Sequence, residues 1–182
     1  MIRFPEISDS EFDADQVAMA QKAQRSGPFQ AFLRAPLLWQ ALQPLRLYLA
    51  KASSLDDSVR EAAMLAIARE LRATAGFAGH VALAQRAGLS NEDIARIGAG
   101  EIPDDDRAAV AAECSLSLLR AHAIDPALYA RARALFGEQG VLDIIGLTGF
   151  FSTICLTLNV AEIDGEAPFT PATASYSPSG QS

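Results

Sequence analysis

The sequence predicts an all-α protein that folds as a compact bundle of six to eight helices. Half of its residues are apolar, with much alanine and leucine and few aromatic side chains, and both of these common residues favour helices. Apolar residues recur at helical spacing along the chain, and no alternating strand pattern of any length occurs. A length of 182 residues suits one domain with a substantial core.

The first part of the chain predicts an arm, a helix and a second, strongly apolar helix. Residues 1–10 form the extended arm, and Asp13–Ser26 fits a helix that Gly27-Pro28 stops. Residues 37–52 are apolar on one side. Pro44 lies inside this segment and is expected to kink or split the helix, because proline lacks the backbone N–H that a helix interior needs.

Residues 54–88 predict two consecutive helices around which the rest of the fold is organised. Ser54 is expected to begin the first helix with a capping box shared with Asp57. The body of that helix, residues 62–68, is apolar on every face, which predicts burial all round. The second helix is expected to end at Gly88.

These two helices carry one carboxylate and one imidazole. Glu61 stands at the start of the apolar run, and His80, one of two histidines in the chain, lies on the apolar face of the second helix. A buried carboxylate and a buried imidazole close in sequence are a candidate acid–base pair. The alternative interpretations are a histidine that only packs in the core and a glutamate that only complements a helix dipole.

The positions of the two residues along their helices set a condition for this pair. With a helix junction at residues 73–76, Glu61 lies about 18 Å along the axis from the junction and His80 about 6 Å beyond it. Simple antiparallel folding leaves these depths unequal by about 12 Å. We expect the side chains to face one cavity, which requires that the helices cross steeply or that the contact runs between subunits.

Further helices are predicted in the second half of the chain. Ser90 begins a short helix with a second capping box, and residues 104–122 form a long helix that is acidic at its start. Asp125-Pro126 begins the next helix, which breaks over residues 137–140. Residues 141–160 form the last helix, and its polar residues, among them Asp143, Ser152, Thr153, Thr157 and Asn159, indicate a buried core helix rather than a membrane span.

Two further features of the predicted helices, a pair of arginines and a pair of glycines, have two interpretations each. Arg69 and Arg72, near the end of the first central helix, either cap its carbonyl groups or bind a substrate carboxylate. Gly146-x-x-Gly149 with Phe150-Phe151 is expected to allow close helix packing in the core, and lining of a pocket is the alternative.

The residues around the candidate pair form a longer pattern. Arg60-Glu61 precedes His80 by nineteen residues counted from the glutamate, and the histidine begins the stretch HVALAQRAGLSNEDIARIGAGE. The segment GPFQAFLRAPLLWQAL, residues 27–42, precedes the two central helices and is part of the same pattern. Spacing, order and flanking helices together resemble the carboxymuconolactone decarboxylase family, which includes the alkylhydroperoxidase D-like proteins. The resemblance covers residues 27–163, so residues 1–26 are an arm with a first helix and residues 164–182 a flexible tail.

The resemblance implies a fold, an assembly and a reaction. It implies a bundle of the alkylhydroperoxidase D-like type, assembled into trimers or hexamers, with Glu61 and His80 as catalytic residues. The implied reaction is cofactor-free decarboxylation, or related proton transfer, on a small carboxylated lactone or carbonyl acid from the breakdown of aromatic compounds. We expect Phe77, Gly76 and Arg72 to contact this substrate. No metal site is expected, because the two histidines lie in unrelated contexts.

The chain departs from the family pattern at the cysteines and at one acidic position. The peroxidase branch has two cysteines where this chain has Ala73 and Gly76, so a peroxidase, the second candidate function, would need Cys114 or Cys155 as its thiolate nucleophile. Both cysteines are interpreted as buried apolar residues rather than a disulfide. The decarboxylase branch has an acidic residue near Gly76, and its absence keeps a third candidate open, binding of a small molecule without catalysis.

Charge and targeting signals limit the classes of partner and the location. A net charge of −7 and a pI of about 4.8 argue against nucleic acid and anionic membrane surfaces as partners, since both need basic patches. The first fifteen residues contain no apolar segment typical of a signal peptide. We therefore expect a cytoplasmic protein whose partners are a small-molecule substrate and other copies of itself.

Overall fold

The computed structural model describes residues 3–22 and 27–172, and within these ranges the chain is helical and has no strand. This confirms the predicted all-α class and the compact bundle. A single 3-10 turn, Asp9–Glu11, precedes the α-helices. The eight α-helices of the described residues are α1 (Ala14–Lys22), α2 (Phe29–Phe32), α3 (Pro36–Lys51), α4 (Asp57–Glu70), α5 (Thr74–Arg86), α6 (Asn91–Ala99), α7 (Asp106–Ala121) and α8 (Pro126–Val160).

Helix α4 lies at the centre of the bundle and contacts α5, α6, α7 and α8. All of residues 62–68 are buried, as the apolar run predicted. Four of these seven residues are alanine. Alanine lets neighbouring helices approach closely, because almost no side chain separates their backbones. The buried environment of Glu61, one residue before this run, follows from the central position of the helix.

The N-terminal helices form a second, smaller layer against α8. Met19 of α1, Phe29 and Phe32 of α2 and Leu33 form a separate apolar cluster, against which Ile154 of α8 packs. The predicted first helix, Asp13–Ser26, is observed as Ala14–Lys22, and residues 23–26 lie outside the described residues.

The predicted capping box at Ser54 is wrong. The Ser54 amide and hydroxyl both donate to Oδ2 of Asp143, at 2.7 and 2.8 Å, and the Tyr48 hydroxyl donates to Oδ1 at 2.6 Å. Asp143 is buried in α8, and a buried carboxylate needs such donors. Ser54 therefore joins the start of α4 to α8, and the residue before the helix is Asp56.

Pro44 does not split α3, contrary to one of the two predicted outcomes. The helix runs from Pro36 to Lys51 with Pro44 inside it. Proline frees the carbonyl of the residue four positions earlier, here Gln40. Gln40 and Pro44 are both exposed, so water can satisfy that carbonyl and the helix continues.

The predicted starts and stops of the later helices are confirmed where side chains or glycines set them. Ser90 accepts a hydrogen bond from the Asp93 amide, and Asp125 accepts from the amides of Ala127 and Leu128. Gly88 has a φ of 93°, a conformation that glycine adopts without steric cost. The predicted break after residue 136 is a kink at Gly137, with φ 69° and ψ −179°, which divides α8 into two helical parts.

Helix α8 is buried on one face only. Its outer face, defined as Leu142, Ile145, Gly149, Leu156 and Val160, is exposed. Among the described residues α8 is the one helix long and apolar enough to cross a membrane, with 44% of the relevant window buried, and a core helix of a soluble protein meets the same test. The prediction of a buried core helix therefore holds for one face of α8.

The predicted close packing at Gly146 and Gly149 is wrong. A Cβ atom added at either position would meet no atom within 4 Å. Both glycines face open space on α8, so they do not bring two helices together within one chain.

The chain after α8 returns along α5 and α6. The Gly165 amide donates to Thr74 Oγ1 at 3.2 Å, and a side chain at Gly98 would place its Cβ 2.6 Å from Pro168. Phe169 meets Phe77 edge to face, with ring centroids 5.2 Å apart. Residues 164–172 of the predicted flexible tail thus lie on the bundle, and residues 173–182 fall outside the described residues.

Candidate acid–base site

Glu61 and His80 meet within one chain. Glu61 Oε2 lies 2.8 Å from His80 Nδ1, which confirms the predicted contact between α4 and α5. The Glu61 side chain is 11% exposed and the His80 side chain 21% exposed. The pair is therefore largely withdrawn from water, where a hydrogen bond to a charged group is stronger than at the surface.

The packing of α5 on α8 fixes the position of the His80 ring. The ring meets Phe151 edge to face, with centroids 4.8 Å apart. One turn earlier on α5, a Cβ atom at Gly76 would lie 3.3 Å from Cys155 Sγ. Residues 76 and 80 thus face residues 155 and 151, one turn of each helix against one turn of the other. Gly76 allows α5 to approach α8 closely, which holds the imidazole against Phe151.

The turn between α4 and α5 fixes the two helices relative to each other. Arg72 has a φ of 54°, and the Ala73 amide donates to the Ala68 carbonyl at 2.8 Å, which closes the end of α4. Asn159 of α8 donates to the Leu71 carbonyl at 2.7 Å. The turn is therefore tied to α8, the helix that also carries Phe151.

The contact determines what the imidazole can do chemically. An ionised carboxylate only accepts hydrogen bonds, so an ionised Glu61 selects the imidazole form with hydrogen on Nδ1. His80 Nε2 has no hydrogen-bond partner among the described residues. This nitrogen can accept a proton, or deliver one when the ring is charged.

The three predicted substrate-contacting residues lie in two places. Gly76 is one turn from His80 and faces Cys155. Phe77 is buried and packs on Phe169. The Arg72 side chain donates from Nε to the Thr170 carbonyl at 2.9 Å. The structure thus places Gly76 beside the pair, whereas the described contacts of Phe77 and Arg72 are with the C-terminal segment.

The sequence interpretation did not assign the residues of α8 beside the pair. For Phe150-Phe151 the preferred interpretation was core packing, which is confirmed because Phe151 is 3% exposed and belongs to the core, and Phe151 also meets the His80 ring. Cys155 was interpreted as a buried apolar residue, which is correct, but its position beside Gly76 was not foreseen. The spacing of four between residues 151 and 155 shows that they share one face, but it does not identify the helix that this face meets.

Neither cysteine has the properties of a redox nucleophile. Cys114 and Cys155 are buried and free, which confirms the prediction that they form no disulfide. Burial raises the pKa of Cys114 to about 11 and that of Cys155 to about 12. Both thiols are therefore protonated at neutral pH, whereas a peroxide-reducing cysteine must be an accessible thiolate.

Within residues 3–22 and 27–172, no group of three or more His, Cys, Asp and Glu side chains is placed to hold a metal ion.

No family model matches the sequence, and no curated protein and no solved structure matches it either. The assignment to the carboxymuconolactone decarboxylase family therefore rests on the motif around Glu61 and His80 and stays a prediction. The direct contact between these two side chains gives that motif a physical basis in this chain.

Proposed function

We propose that this protein is a cofactor-free acid–base enzyme of the carboxymuconolactone decarboxylase type. Its substrate would be a small carboxylated lactone or a related carbonyl acid. The contact of 2.8 Å between Glu61 and His80 in a largely buried place supports this proposal. An imidazole that a carboxylate holds in position can transfer a proton to or from a carbon atom of a substrate.

The proposed reaction needs only this pair and the substrate. The bond between the substrate carboxylate and the adjacent carbon breaks, carbon dioxide leaves, and the electron pair moves into a conjugated carbonyl to form an enolate. The charged His80 ring delivers a proton from Nε2 to that carbon, and the carbonyl forms again. Glu61 holds the ring and stabilises its charged form before transfer, and solvent returns the proton.

A screen for carbon dioxide release tests the proposal. The substrates are carboxylated lactones and β-keto acids, and the variants are Glu61→Gln, His80→Gln and the double variant. His122→Gln is the matched control, because His122 is exposed at the end of α7. We expect loss of activity in both single variants, little further loss in the double variant, and full activity in the control. Turnover that is unchanged in His80→Gln would contradict the proposal.

The thiol peroxidase interpretation receives no support from the two cysteines. Both thiols are buried, with pKa values raised well above neutral pH. If the protein consumes an alkyl hydroperoxide with a dithiol reductant, and Cys114→Ser or Cys155→Ser abolishes this, a peroxidase replaces the decarboxylase as the favoured function. A ligand that binds beside His80 and is not converted would favour the third candidate, binding without catalysis.

We also propose that the protein associates with itself, as trimers or hexamers, through the outer face of α8. Leu142 is 67% exposed, and Ile145, Leu156 and Val160 extend the same apolar strip. Such a strip is costly to leave in water. Light scattering at micromolar concentration should give a mass above the 19.3 kDa of one chain, and Leu142→Glu should lower it. A monomer under these conditions would rule out the association.

A cytoplasmic location belongs to the same proposal. Cys114 and Cys155 are both free thiols, and unpaired cysteines are typical of a reducing compartment.

A further inference from the structure

A concave site lies between α4, α6 and α7, apart from the Glu61–His80 pair. This cleft has a volume of about 180 Å³, and neither Glu61, His80 nor Phe151 lines it. Its apolar floor is Ala66, Ile97 and Leu116, and its rim is formed by charged side chains and by the C-terminal end of α6. The proposed acid–base reaction does not use this cleft.

Arg69 stands at the rim of the cleft with its guanidinium held in place. Its Nε donates to the Gly98 carbonyl at 2.9 Å, and the guanidinium carbon lies 4.9 Å from the centre of the Phe169 ring. A Cβ atom at Gly100 would lie 3.4 Å from one of the terminal nitrogens, so the backbone of α6 ends close to the group. Because the guanidinium is already held in this way, less side-chain conformational entropy is lost when a ligand binds to it.

Among the charged side chains that line the cleft, Arg69 is the one with no ion-pair partner in the described part of the chain. Arg120 forms a two-point ion pair with Glu70, with one N–O distance of 2.8 Å, and Glu101 lies 3.8 Å from Arg96. Neither terminal nitrogen of Arg69 has a hydrogen-bond partner among the described residues. The lining therefore contains one arginine whose two parallel donors are available to an acceptor with two oxygens.

The floor and the volume define the ligand further. A cleft of about 180 Å³ is smaller than the pockets of about 300 to 1,000 Å³ that hold drug-sized ligands, so it suits a molecule of only a few non-hydrogen atoms. One end must be a planar anion for Arg69, and the other end must be apolar for Ala66, Ile97 and Leu116. We propose that this cleft binds a short-chain aliphatic carboxylate, with its carboxylate on Arg69 and its alkyl chain on the apolar floor.

A titration of the isotope-labelled full-length protein with sodium butyrate, followed by amide chemical shifts, tests this inference. Butyramide, which has the same shape without the charge, and inorganic phosphate, which has charge without the alkyl chain, are the comparison ligands at constant ionic strength. We expect butyrate to shift the amides of residues 98–101 with saturation, and both comparison ligands to bind at least about tenfold more weakly.

Three variants separate the site from general anion binding. Arg69→Gln should weaken butyrate binding by about tenfold or more, and Arg133→Gln, a control at an exposed arginine of α8, should not. Because Arg69 also holds the Gly98 carbonyl, a thermal melt must show that Arg69→Gln is folded. Ala99→Leu gives an independent test, since Ala99 is an exposed lining residue where a larger side chain blocks the cleft without entering the core.

The possible results lead to clear decisions. Saturable shifts that Arg69→Gln and Ala99→Leu both weaken would support the site, and if Arg69→Gln is unfolded, the result with Ala99→Leu decides. Absence of saturable shifts, equal binding of butyramide or phosphate, or unchanged affinity in a folded variant would overturn the inference. None of these results depends on whether the protein decarboxylates a substrate, so the two proposals can fail separately.

Discussion

Removing His80 alone should destabilise the protein more than removing both partners of the Glu61–His80 pair. Glu61 is 8% exposed, and its hydrogen bond to His80 Nδ1 is 2.8 Å long. His80→Leu leaves this carboxylate without its partner in a place that water hardly reaches. Replacing both residues by leucine removes the buried charge together with its partner, and such double replacements are often close to neutral.

The expected magnitudes follow from burial. A hydrogen bond to a charged group contributes about 1.5 to 3 kcal/mol, so His80→Leu should lower the free energy of unfolding by about 2 to 3 kcal/mol. Glu61→Leu should cost about 1 kcal/mol, because the His80 side chain is 21% exposed and its ring can still reach water. The double variant should cost about 1 kcal/mol, which gives a coupling energy of about 2 to 3 kcal/mol.

Urea unfolding of the four proteins measures this coupling. All four are unfolded at one protein concentration, because the proposed self-association would add to stability. The matched control is the pair Arg131 and Glu113, which has the same separation of 2.8 Å but side chains that are 51% and 30% exposed. Exposed pairs couple by less than about 1 kcal/mol. A coupling energy for Glu61 and His80 below about 0.5 kcal/mol would show that the two side chains do not act as a unit.

Further predictions concern two glycines and the two cysteines. Gly98→Ala should expose the C-terminal segment to proteases, because the new Cβ would lie 2.6 Å from Pro168. Gly79→Ala should instead raise the free energy of unfolding by about 0.5 to 1 kcal/mol, because a Cβ there meets no atom within 4 Å and alanine favours a helix more than glycine does. Cys114 and Cys155 should resist a disulfide reagent in the folded protein at pH 8 and react in urea. Burial raises their pKa values from 9 to about 11 and 12, so the unfolded thiols ionise first. The stability that the protonated thiols contribute should thus be complete below pH 9 and decline as the pH rises toward 11 and 12, and a double Cys→Ala variant should lose less stability over this range.

Local signals predicted the helices well, whereas partners distant in sequence decided the exceptions. Ser90 and Asp125 cap their helices as predicted, because each bonds to amides two or three residues away. Ser54 has the same local pattern but bonds to Asp143, which is 89 residues away in sequence. No rule that uses only neighbouring residues can foresee this choice, because the buried carboxylate competes for the same hydroxyl group.

The candidate site shows the same difference between local signals and contacts distant in sequence. Composition and spacing were sufficient to single out Glu61 and His80, since a charged residue and a histidine are rare inside two buried helices. Phe151 completes the site from α8, 71 residues beyond His80. The apolar pattern of α8 is satisfied by many neighbours, so the sequence could not show that one of its faces meets an imidazole.

The meeting of Glu61 and His80 within one chain also follows from the helix bounds, which the sequence placed imperfectly. Helix α4 ends at Glu70 and α5 begins at Thr74, so Glu61 lies about 14 Å from its end of the turn and His80 about 9 Å from the other. The difference in depth is about 5 Å rather than the expected 12 Å. The length of the glutamate side chain and a modest crossing of the helices can span this difference. A contact between subunits is therefore not needed to form the pair. The proposed self-association through the outer face of α8 and the proposed acid–base chemistry of the pair can accordingly be tested one without the other.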